Sequence, residues 1–173
     1  MESIRNSTIV KEEEISMIKD WIYPNETFNF ELLYRASRDG DEVRTFHRMC
    51  DGKGPTLVVI KNSHNSRFGG FTTIPWSSTE GYKTDENSLQ SFIFSLDAKK
   101  KYGLANKVGA VYHHPGYGPT FGRAHDIYIG HLCLHQAVSN CKCGYDYDAS
   151  FKEMTKEVMS FLISDYEVYL IKK

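Results

Sequence analysis

Two apolar runs, PTLVVIKN (residues 55–62) and RFGGFTTIPW (67–76), are separated by only four polar residues, Ser63, His64, Asn65 and Ser66. Both runs are rich in β-branched or aromatic side chains, and a polar link of this length suits a hairpin. The chain is therefore read as pairing antiparallel strands, and further segments extend the pattern. In TFNFELLYRAS (27–37) Phe28, Phe30 and Leu32 alternate with period two, the mark of a half-buried strand. QSFIFSL (90–96), KVGAVYHH (107–114) and SDYEVYLIKK (164–173) are further strand candidates. So is the alternating end of GYGPTFGRAHDIYIGHLCLH (116–135), which includes His125 and Asp126.

Helical spacing is confined to three places. Ile15, Ile18 and Ile22 fall on one face of KEEEISMIKDWI (11–22), with Glu12, Glu13 and Glu14 in the first turn and Pro24 as a stop. Val43, Phe46 and Cys50 form a second stripe in DEVRTFHRMCDG (41–52), with Asp41 as candidate N-cap and Gly52 as the end signal. Phe151, Met154, Val158 and Phe161 fit a third helix. SSTEGYKTDENS (77–88) lacks periodicity and reads as a loop. The predicted fold is mainly β (α+β): an antiparallel two-sheet β-sandwich flanked by short helices, with an N-terminal helix. Residues 1–24 are expected to be a helical extension packing on a domain formed by residues 25–173.

The chain of 173 residues fits one domain with a single core, and 11 Tyr, 10 Phe and 2 Trp argue for a folded globule. Twenty-one basic against 22 acidic residues leave a formal charge of −1, so no broad positive field exists for nucleic acid. No run approaches the ~20 apolar residues of a membrane span, and the expectation is a cytoplasmic chain without direct membrane insertion. In that compartment the sequons at Asn6 and Asn25 are fortuitous, and Cys50, Cys133, Cys141 and Cys143 are thiols.

Six ordered blocks carry a resemblance: LLYRASRDG, TFHRMCDGKGPTLVVIK, FGGFTTIPW, SFIFSL, GPTFGRAHDIYI and ISDYEVY, spanning Leu32 to Tyr169. In this order they resemble the TLDc domain of the oxidation-resistance proteins. The resemblance implies a β-sandwich flanked by helices and a non-enzymatic interaction module. It also implies a protein partner, the soluble sector of the vacuolar proton pump, and a link to protection against oxidative stress. The chain departs from the family at YGPTFGRAHD (117–126), where relatives often run several glycines together, and in its cysteine and histidine loop.

That loop, HLCLHQAVSNCKCGYDYD (131–148), raises a question of its own. If the preceding strand continued, His131, Cys133 and His135 would share a face, and a return through QAVSN would bring up Cys141 and Cys143 as further zinc ligands. Against this, structural zinc sites favour cysteines two to four residues apart, so no cofactor is the preferred reading, with zinc as the alternative. A redox-sensing thiol, or a thiol enzyme using Cys50 or Cys133 with a histidine, also remains open.

A second candidate cluster, structural or partner-binding, is Ser37, Arg38, Asp39 and Gly40. Gly40 can supply a positive φ at the corner, and Arg38 is expected to pair with Glu167 or Asp126. His125 and Asp126, as strand neighbours, point apart and cannot form a dyad. Cys50 is read as a core residue, and His113 and His114 as a solvated turn beside Pro115. Walker A, His-Glu-x-x-His and Gly-x-Ser-x-Gly motifs are absent.

Overall fold

The computed structural model describes residues 3–84, 90–105 and 108–173. In chain order the elements are α1 (Ile15–Ile22), β1 (Asn29–Arg35), α2 (Ala36–Asp39), α3 (Val43–Cys50), β2 (Thr56–Asn62), β3 (Arg67–Thr72), β4 (Gly81–Lys83), β5 (Phe92–Ser95) and β6 (Lys100–Gly103). They continue with β7 (Val111–His113), β8 (Thr120–Phe121), β9 (Ile127–Tyr128), β10 (Ser139–Cys141), α4 (Phe151–Thr155), β11 (Ser160–Phe161) and β12 (Ile163–Lys172).

Two antiparallel sheets result, in the strand orders β1-β12-β2-β3-β5-β6 and β11-β10-β9-β8-β7-β4. The hairpin at 63–66 forms as predicted, with Lys61 opposite Arg67 and Thr56 opposite Thr72. Alternation along β2 sends Val58 and Ile60 into the space between the sheets, where they join Tyr34, Phe68, Phe121, Ile127 and Val168. Gly70 lets the layers close: a Cβ there would lie 2.5 Å from the Phe121 ring.

The other face of the first sheet is also covered, so the molecule has a second apolar cluster where one core was expected. Leu57, Val59, Phe71, Phe94 and Tyr169 pack against Ile4, Ile9, Val10, Ile18 and Ile22 of the N-terminal segment. Burial on both faces is why 57–60 is an unbroken apolar run and not an alternating one.

Several local expectations are corrected. Residues 77–88 are not all loop, since Gly81–Lys83 forms the edge strand β4 against β7; residues 85–89 lie outside the described residues. The helix begun at Phe151 ends at Thr155, because Lys156 and Glu157 both take positive φ. Phe161 instead enters β11, where it pairs with Ser139 and meets the Phe68 ring edge-on at 5.6 Å. Asp41 does not cap α3; its carboxylate accepts from the Leu134 N–H at 2.9 Å. Val43, Phe46 and Cys50 are buried as their spacing predicts.

Candidate functional site

Strand β12 lies between β1 and β2 in the first sheet, and its two faces differ in chemistry. Tyr166 and Val168 enter the sandwich, whereas Asp165, Glu167, Tyr169 and Ile171 face the N-terminal segment. The half of this face nearest the β1–α2 corner is thus acidic, and Asp165 and Glu167 are 8% and 0% exposed. Buried carboxylates must be matched, and the neighbouring elements do this.

Arg35 lies directly opposite Glu167 in the β1–β12 register, and its Nε donates to Oε1 at 2.8 Å. The ion pair expected from Arg38 therefore comes from Arg35, since Arg38 sits beyond the end of β1. The Arg38 guanidinium grips Asp39 instead, at 2.8 and 2.9 Å. Asp39 also accepts from the Arg35 N–H at 2.9 Å. Burial pushes the Asp39 carboxyl up, but the Arg38 and Arg35 bonds outweigh this and hold it below the usual range.

Ser37 donates both N–H and Oγ–H to Asp165, at 3.0 and 2.6 Å. Gly40 takes φ +94°, supplying the left-handed corner that its type allows. Asp39 and Gly40 border a cleft of about 550 Å³ that is also lined by Asp41, Glu42, Arg44 and Arg48.

The rest of the acidic pair's capacity goes to a segment the sequence did not connect with it. Ser7 Oγ donates to Glu167 Oε2 at 2.5 Å, and the Thr8 N–H reaches Oε1 at 3.0 Å. Thr8 Oγ1 lies 3.1 Å from Asp165 and 3.2 Å from Glu167. Arg35 also donates to the Asn6 carbonyl at 2.7 Å, and Tyr169 Oη to Glu167 at 2.8 Å. No spacing rule links residues 7 and 167; only the sheet brings them together.

The second candidate region is not the strand it was expected to be. His131–Gln136 is a succession of turns with Leu132 at φ +54°. The His131, Cys133, His135 face does not form. His131 Nδ1 faces the Val43 N–H at 3.2 Å, Cys133 is buried in the core, and His135 is exposed. Cys141 and Cys143 do meet, with their sulfurs 2.6 Å apart. Among the described residues, no group of three or more His, Cys, Asp or Glu side chains is arranged to hold a metal ion.

All four thiols are buried. Burial raises Cys50 and Cys141 well above the ordinary thiol range and Cys133 to about 12, opposite to what a reactive thiolate needs. Among the described residues, no thiol hydrogen-bonds a histidine. His47 faces Asp51 at 2.7 Å and the carbonyls of His114 and Tyr117 at 3.0 Å, so both ring nitrogens are engaged.

Asp126 organises the cysteine loop. It precedes β9, in a bend rather than within a strand, and His125 beside it takes φ +61° in a turn. Its carboxylate accepts N–H bonds from Tyr145, Asp146 and Tyr147 at 3.1–3.3 Å, and its carbonyl accepts from Lys142 and Cys143. Burial raises the Asp126 pKa despite those bonds, and the charge of Asp146 adds to the rise.

His125 belongs to a surface that sequence reasoning missed. Val111, His113 and Ile127 face inward, so Tyr112 and Tyr128 stand on the outer face of the second sheet. His125 packs against both at 4.8 and 5.9 Å, and Tyr117 joins them, with His114 stacked on it at 4.1 Å. Tyr82, opposite Tyr112 in the register, is 48% exposed. His113 is not part of a solvated turn: it is buried beside Trp76, and burial lowers its pKa to about 4. The aromatic density of GAVYHHPGYG and HDIY was the available signal.

Two antiparallel sheets, with buried carboxylates tying down a strap on one side and a loop on the other, define a β-sandwich domain with an N-terminal cover. The chain belongs to the TLDc family: the TLDc domain model matches residues 3–172. It is similar to TBC1 domain family member 24 from Xenopus laevis, 31% identical over 87 residues, which is 50% of this chain and 15% of that protein. The Xenopus tropicalis protein of the same name is 32% identical over 72 residues, covering 41% of this chain and 13% of its own length. The chain thus corresponds to a small part of these relatives. Among the described residues, no helix is long and apolar enough to cross a membrane.

Proposed function

We propose that this chain is a non-enzymatic interaction module that binds the soluble sector of the vacuolar proton pump in the cytoplasm and, by regulating it, contributes to protection against oxidative stress. The observation that carries this reading is the family match, which runs through the entire sandwich and the N-terminal segment. The chemistry of the polar groups agrees with it. The buried carboxylates are engaged in holding chain segments, and the cysteines whose pKa shifts are resolved are held protonated by burial.

The partner surface in this reading is the outer face carrying Tyr82, Tyr112, Tyr117 and Tyr128. Tyrosines present a large apolar area with a polar tip at low entropic cost, which suits protein contacts. The test is binding of the purified chain to the purified soluble sector of the pump. The expected result is a stable complex that the double variant Tyr82→Ala/Tyr128→Ala weakens at least ten-fold while its melting temperature is kept. No binding, under conditions where another TLDc protein is retained, overturns the proposal. Unchanged binding by the double variant overturns the surface assignment.

A further inference from the structure

The N-terminal strap, Ser3–Val10, is fastened at one end by an arrangement with a definite chemical weakness. Ile4, Ile9 and Val10 supply apolar burial; between them the hydroxyls of Ser7 and Thr8 and the Thr8 N–H donate into Asp165 and Glu167, while Arg35 and Arg67 donate to the carbonyls of Asn6 and Ile9. Ser7 Oγ also accepts the N–H groups of Ile9 and Val10 at 3.0 and 2.8 Å, so one oxygen shapes the turn and docks it. The pocket holds two carboxylates and the Arg35 guanidinium, a net charge of about −1. Hydrogen-bond donors fit beside it, and a further negative charge is repelled.

We propose that Thr8 is a phosphorylation site and that phosphate on it releases the strap from the sheet. Thr8 is exposed at the edge of the pocket, and Arg5, three residues earlier, has a side chain 75% exposed, so a basic-directed protein kinase finds both determinants on the surface. In the transfer, Thr8 Oγ1 bonds to the γ-phosphorus of ATP and the bond from that phosphorus to the β-phosphate oxygen breaks. ADP leaves, and the hydroxyl proton passes to the kinase's carboxylate base. The product has no Oγ1 proton to donate and carries roughly −1.5 to −2 charge against Asp165 and Glu167.

Arg35 cannot absorb that charge without abandoning Glu167, which is fully buried. The strap leaves and its three apolar residues go with it. Helix α1 stays, because Ile18 and Ile22 are buried under it and Glu14 is gripped by both Nη atoms of Arg67 at 2.8 Å. The modification thus acts on residues 3–10 and not on the sandwich. This inference is independent of which partner the domain binds.

The experiment uses the full chain with phosphothreonine incorporated at position 8, compared by amide hydrogen exchange with the unmodified chain and with Thr8→Val. Exchange across residues 4–10 is expected to rise at least ten-fold in the phosphorylated chain, with β2 and β12 still protected. Thr8→Val, which loses the hydroxyl without adding charge, is expected to give a much smaller rise. Unchanged exchange in the phosphorylated chain overturns the proposal. So does loss of protection in β12, an equal effect of Thr8→Val, or failure of basic-directed kinases to label Thr8 in the native chain.

Discussion

Glu167 and Asp126 are both buried carboxylates that pin a distant piece of chain, and they do so by different physics. Glu167 is compensated by a full cation, Arg35 across the strand pair, with hydroxyls and one amide filling the remaining lone pairs. Asp126 accepts from a fan of three consecutive backbone amides. The strap held by Glu167 is joined through side chains that chemistry can alter. The loop held by Asp126 is joined through its backbone, which almost nothing can alter short of moving the loop. One arrangement suits a segment that comes and goes, and the other a segment that stays.

The sharpest way to break this contrast is to remove the cation. In Arg35→Met, Glu167 is left buried beside hydroxyls and the Thr8 amide, with no cation, and an uncompensated buried charge costs about 3–5 kcal/mol. Chemical denaturation is expected to show a loss of that size. The double variant Arg35→Met/Glu167→Leu should recover part of it, because the orphaned charge is gone, although Ser7 loses its acceptor and the Thr8 hydroxyl keeps only Asp165. If the double variant is no more stable than the single, Glu167 is not held by charge pairing.

The matching change at the other anchor is smaller. Asp126→Asn keeps one acceptor oxygen but turns an NH₂ group toward amide donors, and leaving such donors unmatched costs about 1–3 kcal/mol. The loss should be concentrated in the loop, with faster amide exchange at Tyr145, Asp146 and Tyr147 than in β2. A uniform loss over the whole sandwich would mean that the loop is not a separately held unit.

The two anchors also differ in how far the sequence revealed them. Strands β1, β2, β3 and β12 follow from alternation or apolar runs, and the hairpin at Ser63–Ser66 from its length, because period and turn chemistry are local properties. The six blocks led to the family and its sandwich, which the family match and the two sheets bear out. The corner at Ser37–Gly40 was legible as polar and cornered, but not which arginine reaches Glu167. That depends on the β1–β12 register, set by residues about 130 positions apart.

The stretch after Gly130 misled for a related reason. His131, Cys133 and His135 alternate with leucines, yet Leu132 takes a left-handed φ. Its N–H and that of Leu134 bond to Asp41, which lies about 90 positions earlier. A long-range acceptor overrode the local period. The fitted helix through Phe161 failed likewise, because pairing with β10 competes for the last turn.

The finest separation of the anchors is by pH. Burial raises the Asp126 pKa, so between its unfolded value near 3.8 and its higher folded value the native state binds more protons than the unfolded chain. Its contribution to stability is therefore complete below about 3.8 and is lost as pH rises through the folded value. His113 works in the opposite sense over an overlapping window. Its folded pKa is lowered to about 4 from 6.5, so the native state loses stability as pH falls from 6.5 toward 4. The raw profile mixes the two, and the informative quantity is the difference between the native chain and Asp126→Asn, in which the His113 contribution cancels. That difference is expected to change monotonically, the variant's disadvantage being largest at the acidic end and shrinking as pH rises toward 7. A difference that grows with pH would mean that the amide fan outweighs burial and favours the Asp126 anion, opposite to the raised pKa.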